Sequence, residues 1–170
     1  MPKDLRAITH KAKRLDVEVP VLNSILGSNR THTERAIDWI VRTKKRRIGI
    51  LGLSFKSGTD DLRESPMVTL VEALIGKGLD IRIYDENVSL ARLTGSNKEY
   101  NNKQIPHISS LMVENTATVV EHAEIIVVCN NSPEFQEVVD SAPSDKVIFD
   151  LVRISEDVAS THDGYQGIGW

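Results

Sequence analysis

The chain has 170 residues, of which 40% are hydrophobic and 26% are charged, a composition typical of a soluble globular protein with one sizeable core. A net charge of −3 gives no electrostatic argument for binding nucleic acid, and no apolar run approaches the roughly 20 residues that span a bilayer. The single cysteine, Cys129, excludes an internal disulfide. It fits a reducing compartment, so we expect a cytoplasmic protein that is not bound to a membrane.

Residues 1–43 have a helical pattern. Pro2 suits the first turn of a short helix over residues 2–15, because its missing N–H has no partner there. Its expected apolar face consists of Leu5, Ile8 and Leu15. A second helix is predicted from Pro20 to about Val41, with apolar residues at helical spacing: Leu22, Ile25, Leu26, Ala36, Ile37, Ile40 and Val41. Gly27 lies in its polar middle, but no tight-turn signal divides the segment, so we predict one long helix.

The basic run "TKKRR", Thr43 to Arg47, follows this helical part. Such a run can bind nucleic acid, but here it is short and no aromatic residues alternate with the charges. A solvated link into a strand is the preferred interpretation.

From Arg47 onward, apolar strands alternate with helices. The predicted strands are "RIGILGL", "DIRIYD", "EIIVVCN" and "KVIFDLV", and the predicted helices are "SPMVTLVEALIGKG", "TATVVEHA" and "PEFQEVVDSA". This alternation predicts an α/β fold with a Rossmann-like parallel sheet and helices on both faces, preceded by the helical arm. We therefore predict an arm over 1–43 and an α/β domain over 46–170.

Two segments of that domain are ambiguous. Glu86 to Val113 contains a long polar stretch that could hold short helices or an ordered loop, and the final "GYQGIGW" could either pack on the domain or fray. The ring of Trp39 could likewise contribute to a helix interface or pack on its own domain.

The stretch "SFKSGTDDLRESP", Ser54 to Pro66, follows the first predicted strand, where α/β sheets bind ligands. Ser65 is a plausible N-cap of the next helix, with Pro66 as its first residue. Lys56 and Arg63 suit phosphate binding, whereas Asp60 and Asp61 could support the loop. Asp–Arg pairs that only stabilise a turn remain an alternative. Neither a Walker motif nor "GxGxxG" is present, which argues against a complete NAD-binding domain.

"GLSFKSGTDDLRESP" resembles the signature of the UDP-glucose and GDP-mannose dehydrogenase family. "MPKDLRAIT" resembles the segment after the family's catalytic cysteine, and "EALIGKGLDIRIYDENV", "GSNKEY" and "IPHISSLMV" look like its GDP-mannose branch. The resemblance covers nearly the whole chain. It implies a two-domain enzyme in which an N-terminal Rossmann domain binds NAD, a long central helix forms a dimer, and a C-terminal α/β domain completes the nucleotide-sugar site.

Family members oxidise the primary alcohol of a nucleotide sugar twice, through a cysteine thioester that is then hydrolysed. Their motif, Cys-Leu/Phe-Pro-Lys-Asp, aligns Met1 with the residue after the cysteine, so the nucleophile and the Rossmann half are not in this sequence. We therefore expect the central helix and C-terminal domain of an NAD-dependent enzyme that converts GDP-mannose to GDP-mannuronate. The 170-residue chain alone should be inactive.

The resemblance also assigns roles to individual residues. It implies that Lys3 contacts NAD, that Asp4 positions or activates water, that Lys56 contacts the nucleotide sugar, and that Arg63 contacts the NAD pyrophosphate. Without it, Lys3 would be read as an exposed helix residue and Asp4 as a carboxylate favoured by the helix dipole.

Other candidate groups are interpreted as structural. Cys129 lies in an apolar strand without an evident base, so we predict a buried, inert thiol. The histidines lack metal-ligand spacing, so no metal site is predicted: His10, His32, His107, His122 and His162.

Two alternatives remain at this point: part of a UDP-glucose (UDP-sugar) dehydrogenase, or a non-catalytic module that dimerises and binds a nucleotide. In each case we expect a homodimer through the helix over about 20–41, held by residues such as Leu22, Ile25, Ile37 and Ile40.

Overall fold

The structure is a computed structural model that describes residues 2–54, 58, 62, 64–88, 106–155 and 162–169. Its helices are α1 Pro2–Arg14, α2 Pro20–Arg42, α3 Pro66–Gly76, α4 Pro106–Ser109, α5 Thr116–His122 and α6 Pro133–Asp140. Its strands are β1 Arg47–Leu51, β2 Asp80–Tyr84, β3 Ile125–Val128, β4 Val147–Asp150 and β5 Tyr165–Gly167. Among the described helices, none is both long and apolar enough to cross a membrane.

The strands form one parallel sheet in the order β2-β1-β3-β4-β5. The predicted α/β fold class is therefore confirmed, as are the four predicted strands and the helices between them. Because β1 lies between β2 and β3, the strand order reverses direction at β1, and the crevice outside the carboxyl ends of β1 and β3 is the usual ligand position in such sheets.

Strand β1 ends at Leu51, two residues before the predicted end at Leu53. Gly52 still donates its N–H to the carbonyl oxygen of Tyr84 at 2.8 Å, but its φ of +89° turns the chain out of the strand direction. The next two backbone N–H groups, of Leu53 and Ser54, then point to the side chain of Asp85 instead of a neighbouring strand.

Two hydrophobic clusters cover the two faces of the sheet. One joins α2 and α3 to side chains such as Ile50 and Val127, and the other joins α5 and α6 to side chains such as Leu51 and Val128. Neighbouring strand residues therefore point to opposite faces, as the pleat requires, and both faces are apolar because helices cover both.

Helix α2 is unbroken through Gly27, as predicted, and its C-terminal half belongs to the core of the sheet. Ile40 is fully buried, Ile37 packs against the same cluster, and the ring of Trp39 stacks on Phe149 with centroids 4.1 Å apart. The prediction that Ile40 contributes to a dimer interface is therefore wrong, because its side chain is fully buried in the chain's own core. Ile37 is only partly buried, so its part in a dimer interface stays a prediction. Of the two roles considered for Trp39, the structure shows packing on its own domain.

Helix α1 confirms the first predicted helix but not its whole apolar face. Leu5 is buried, whereas Ile8 and Leu15 are 54% and 64% exposed. Leu15 lies after the last residue of the helix, Arg14, so it leaves the face on which Leu5 packs.

The sequence did not predict β5. This short strand pairs in parallel with β4, so the start of "GYQGIGW" is ordered. In the ambiguous segment, α4 forms one short helical turn, and residues 89–105 lie outside the described residues.

Candidate functional site

The candidate site lies at the carboxyl end of β1, where the β1–α3 loop, residues 52–65, begins. Gly52 is required there on two grounds. Its φ of +89° is unfavourable for other residues, and a Cβ at this position would lie 2.7 Å from Cγ of Asn130. The absence of a side chain at Gly52 thus lets the end of β3 approach the end of β1.

Asn130 follows β3 and is 7% exposed. Its Oδ1 atom is buried and has no hydrogen-bond partner within the part of the chain that the structure describes. An unsatisfied buried acceptor costs about 1–3 kcal/mol. The crevice between β1 and β3 therefore contains a polar atom that a hydrogen-bond donor would stabilise.

Asp85 follows β2 and is 2% exposed. Its Oδ2 accepts hydrogen bonds from the backbone N–H groups of Leu53 and Ser54, at 2.8 and 2.9 Å, and from Oγ of Ser54 at 2.9 Å. Its Oδ1 accepts the N–H of Val88 at 3.2 Å. This carboxylate therefore fixes the direction in which the β1–α3 loop leaves the sheet.

Ser65 fixes the other end of the same loop. Its Oγ donates to the carbonyl oxygen of Leu53 at 3.0 Å and accepts the N–H of Met67 at 3.2 Å. The predicted N-cap at Ser65 and the predicted first helical residue, Pro66, are confirmed. Leu62, close to this end, is 5% exposed and belongs to the hydrophobic core.

Helix α1 contacts the loop near its end. Nη1 of Arg6 lies 2.5 Å from Oε1 of Glu64, and Glu64 has an unusual φ of 56°. Both side chains are substantially exposed, so the ion pair contributes only about 0–1 kcal/mol, but it fixes which surfaces face each other. A groove of about 610 Å³ lies beside this contact, between α1, α2 and the start of α3.

The structure describes only some of the predicted site residues. Lys3 and Asp4 lie in the first turn of α1 with exposed side chains, close in sequence to Arg6 and therefore on the helix that contacts the loop. Lys56 and Arg63, and the supporting Asp60 and Asp61, lie outside the described residues. Their assigned roles stay predictions.

Two titratable groups near the carboxyl edge are unsuited to chemistry at neutral pH. Burial, together with nearby Asp150 and Asp85, raises the pKa of the Cys129 thiol far above its usual range. Burial and a hydrogen bond to Glu134 raise the pKa of Tyr84 to about 12. The interpretation of Cys129 as a buried, inert thiol is supported.

Asp150, at the end of β4, has a structural role. It is fully buried and accepts the N–H groups of Val152 and Ile154, both at 2.8 Å, and the hydroxyl of Tyr165 at 2.5 Å. It therefore organises the turn after β4 and holds β5. Within the described residues, no group of histidine, cysteine and carboxylate side chains could hold a metal ion.

The roles of Asp85 and Asp150 were not predicted from the sequence. The available signal was a lone acidic residue directly after an apolar strand, in "IRIYD" and "VIFD". A buried carboxylate in that position must find donors, and the backbone of a neighbouring loop can supply them.

The family model for the UDP-binding domain of the UDP-glucose/GDP-mannose dehydrogenase family matches residues 49–157. The whole chain is 46% identical to GDP-mannose 6-dehydrogenases of Pseudomonas putida and Pseudomonas aeruginosa, and it spans 39% and 38% of their lengths. A UDP-glucose 6-dehydrogenase of Rickettsia conorii is 27% identical over 89% of the chain, which spans 33% of that protein.

Among solved structures, the chain matches a ternary complex of GDP-mannose dehydrogenase from Pseudomonas aeruginosa with a TM-score of 0.92, 46% identity, and coverage of 100% of this chain and 38% of that one. The family match covers most of the β-sheet, including the carboxyl edge of β1 and the β1–α3 loop. The chain belongs to the UDP-glucose/GDP-mannose dehydrogenase family and corresponds to the C-terminal part of its relatives.

Proposed function

We propose that this chain forms the C-terminal part of an NAD-dependent dehydrogenase that oxidises the primary alcohol of GDP-mannose in two steps to GDP-mannuronate. The observation that carries the proposal is the similarity of the whole chain to GDP-mannose 6-dehydrogenases, whereas the UDP-glucose 6-dehydrogenases are more distant. For this reason, we propose GDP-mannose and not a UDP-sugar as the substrate.

The proposed substrate position is the crevice outside the carboxyl ends of β1 and β3. Lys56 would contact the phosphates of the nucleotide sugar as a mobile positive charge. Asp4, on the helix that contacts the same loop, would position or activate the water that hydrolyses the thioester. The Arg6–Glu64 ion pair supports this arrangement, because it brings the first turns of α1 beside the loop.

The described residues of this sheet are not arranged to bind NAD as a Rossmann domain does. A Rossmann domain presents backbone N–H groups after its first strand to a pyrophosphate and an acidic residue to the ribose. Here Asp85 itself accepts the N–H groups of Leu53 and Ser54. We therefore propose that NAD is bound mainly outside this chain, with Lys3 and Arg63 contributing from its edge.

The chain by itself is proposed to be inactive. Its one thiol, Cys129, is buried with a raised pKa and cannot replace the cysteine that the family uses. The single thiol fits the reducing cytoplasm in which we propose that the protein works.

A homodimer through α2 remains part of the proposal, with a revised contact surface. Val21, in the first turn of α2, is 73% exposed, whereas Ile40 near its other end is fully buried. Leu22 and Ile25, each half-buried, lie on the N-terminal half of α2 and belong to neither of the two described hydrophobic clusters. A second copy would cover this half of the helix, and a monomer at tens of micromolar in sedimentation would contradict it.

The proposal can be tested with a chimera. The C-terminal part of the Pseudomonas aeruginosa GDP-mannose 6-dehydrogenase that aligns with this chain is replaced by the chain itself. We expect formation of two NADH per GDP-mannose, slower turnover of UDP-glucose, and no turnover by the isolated chain. A folded chimera that oxidises no nucleotide sugar would overturn the proposal, and a preference for UDP-glucose would overturn the choice of substrate.

A further inference from the structure

We propose that Asp85 is a positioning residue that fixes the described start of the β1–α3 loop, Gly52 to Ser54, and thereby favours binding of the nucleotide sugar without touching the ligand itself. This inference rests on the proposed function. The loop starts at the carboxyl end of β1 and contains Lys56 and Arg63, the two cations predicted to contact phosphates. The placement of such a loop determines whether its cations reach a ligand.

The geometry around Asp85 identifies it as the fixing group. Among the described residues, Oδ2 of Asp85 accepts three hydrogen bonds from Leu53 and Ser54, and Oδ1 accepts one from Val88, so both carboxylate oxygens are engaged by the chain itself. The side chain is 2% exposed, so water does not compete with these donors. An asparagine could offer only one accepting oxygen and would place an NH₂ group next to a donor.

Leu53 connects the two ends of the loop. Its N–H is held by Asp85 at 2.8 Å, and its carbonyl oxygen accepts the hydroxyl of Ser65 at 3.0 Å. The start and the end of the loop are therefore fixed to the same residue. A change at Asp85 or at Ser65 should disturb the same loop, although the two side chains lie at opposite ends of it.

A position at the end of the second strand also suggests a different role. In dinucleotide-binding sheets, an acidic residue in this part of the fold binds the ribose hydroxyls. Here the donors from the backbone and from Ser54 already engage both oxygens of Asp85, so the geometry points to a loop-positioning role.

The test compares Asp85→Asn with Glu124→Gln in the chimera. Glu124 is a matched control because its carboxylate also accepts two backbone N–H groups, of Arg46 at 3.1 Å and Arg47 at 3.0 Å, but at the opposite end of β1. Both variants should lower the Tm. Only Asp85→Asn should raise KM for GDP-mannose, by about tenfold, with kcat within about threefold, because loop placement affects binding in the ground state and transition state alike.

A second pair of variants tests the same inference if Asp85→Asn does not fold. Ser65→Ala removes the hydrogen bond to Leu53 and an N-cap. Asn115→Ala removes the N-cap of α5, in which Oδ1 of Asn115 accepts the N–H and the hydroxyl of Thr118, both at 2.9 Å, and among the described residues it breaks no hydrogen bond to the β1–α3 loop. We expect a raised KM for Ser65→Ala and an unchanged KM for Asn115→Ala at a similar loss of Tm.

The outcomes are distinct. An active chimera whose KM is the same in Asp85→Asn and Glu124→Gln, or in Ser65→Ala and Asn115→Ala if the first pair does not fold, would overturn the inference alone. A kcat that falls while KM is unchanged would also overturn it, because that result indicates a role in the chemical step. An unsubstituted chimera that folds but oxidises no nucleotide sugar would overturn the proposed function and this inference together.

Discussion

The ring of Trp39 stacks on the ring of Phe149, with centroids 4.1 Å apart and planes at 18°. Trp39 belongs to α2 and Phe149 to β4, so this contact joins α2 to the sheet. Phe149 is almost completely buried, and Ala36 and Ile40 pack into the same cluster. The second half of α2 thus belongs to the hydrophobic core of the sheet, and the first half connects it to α1.

Replacing Trp39 with leucine should therefore destabilise the chain. The substitution keeps an apolar side chain but removes the aromatic pair, which is worth about 0.5–1.5 kcal/mol beyond its buried area. We expect a lower midpoint of urea denaturation, measured by circular dichroism, with an unchanged m-value. Val41→Ala, at an exposed position of the same helix, is the control and should change the midpoint little. Equal effects of the two substitutions would contradict the role given to the stack.

Gly49 in β1 determines how closely α5 approaches the sheet. A Cβ there would lie 2.5 Å from Cγ1 of Val119 and 2.9 Å from Cβ of Ala123. Gly49→Ala should cost about 1–3 kcal/mol by overpacking. Gly27→Ala is the control, because nothing lies within 4 Å of a Cβ at that exposed helical position. It should stabilise the chain by about 0.5–1 kcal/mol, so denaturation should shift in opposite directions for the two variants.

The strands that the sequence predicted carry either a continuous apolar run, such as "EIIVVCN", or apolar residues in alternation, such as "DIRIYD". Strand β5 has only three residues, and "YQG" carries neither pattern. It is held by the hydroxyl of Tyr165 on Asp150, a contact that depends on the order of strands in the sheet. Local sequence patterns do not contain that information.

The same limit applies to the candidate site. The N-cap at Ser65 was predictable because capping is local, and the capped N–H lies two residues away. The bond from Asp85 to Leu53 joins residues that are 32 positions apart, and it exists because β1 and β2 are neighbours in the sheet. The sequence therefore predicted the loop and its helix cap but not the carboxylate that fixes the loop.

The two cations of the β1–α3 loop should have separable effects in the chimera. Lys56→Ala should raise KM for GDP-mannose, and Arg63→Ala should chiefly raise KM for NAD, each by about tenfold or more, because a charge-assisted hydrogen bond is lost. Lys77→Ala, at the C-cap of α3, is a control for loss of a positive charge. Unchanged steady-state kinetics in both loop variants would contradict the roles assigned to Lys56 and Arg63.

Glu124 should make the thermal stability of the chain decrease at acidic pH. The backbone N–H groups of Arg47 and then Arg46 hold its pKa below the usual value for glutamate. Because the folded-state pKa is below the unfolded-state pKa of about 4.3, the stabilisation is present at higher pH and is lost as the pH falls through the folded-state pKa. The Tm of Glu124→Gln should therefore lie below that of the unsubstituted chain at pH about 7, and the difference should shrink below pH about 4. Glu121→Gln, at an exposed position of α5, gives the baseline for loss of one carboxylate. Thermal melts at several pH values test this, and a difference that is constant across the range would show that the ionised carboxylate of Glu124 does not stabilise the amino end of β1.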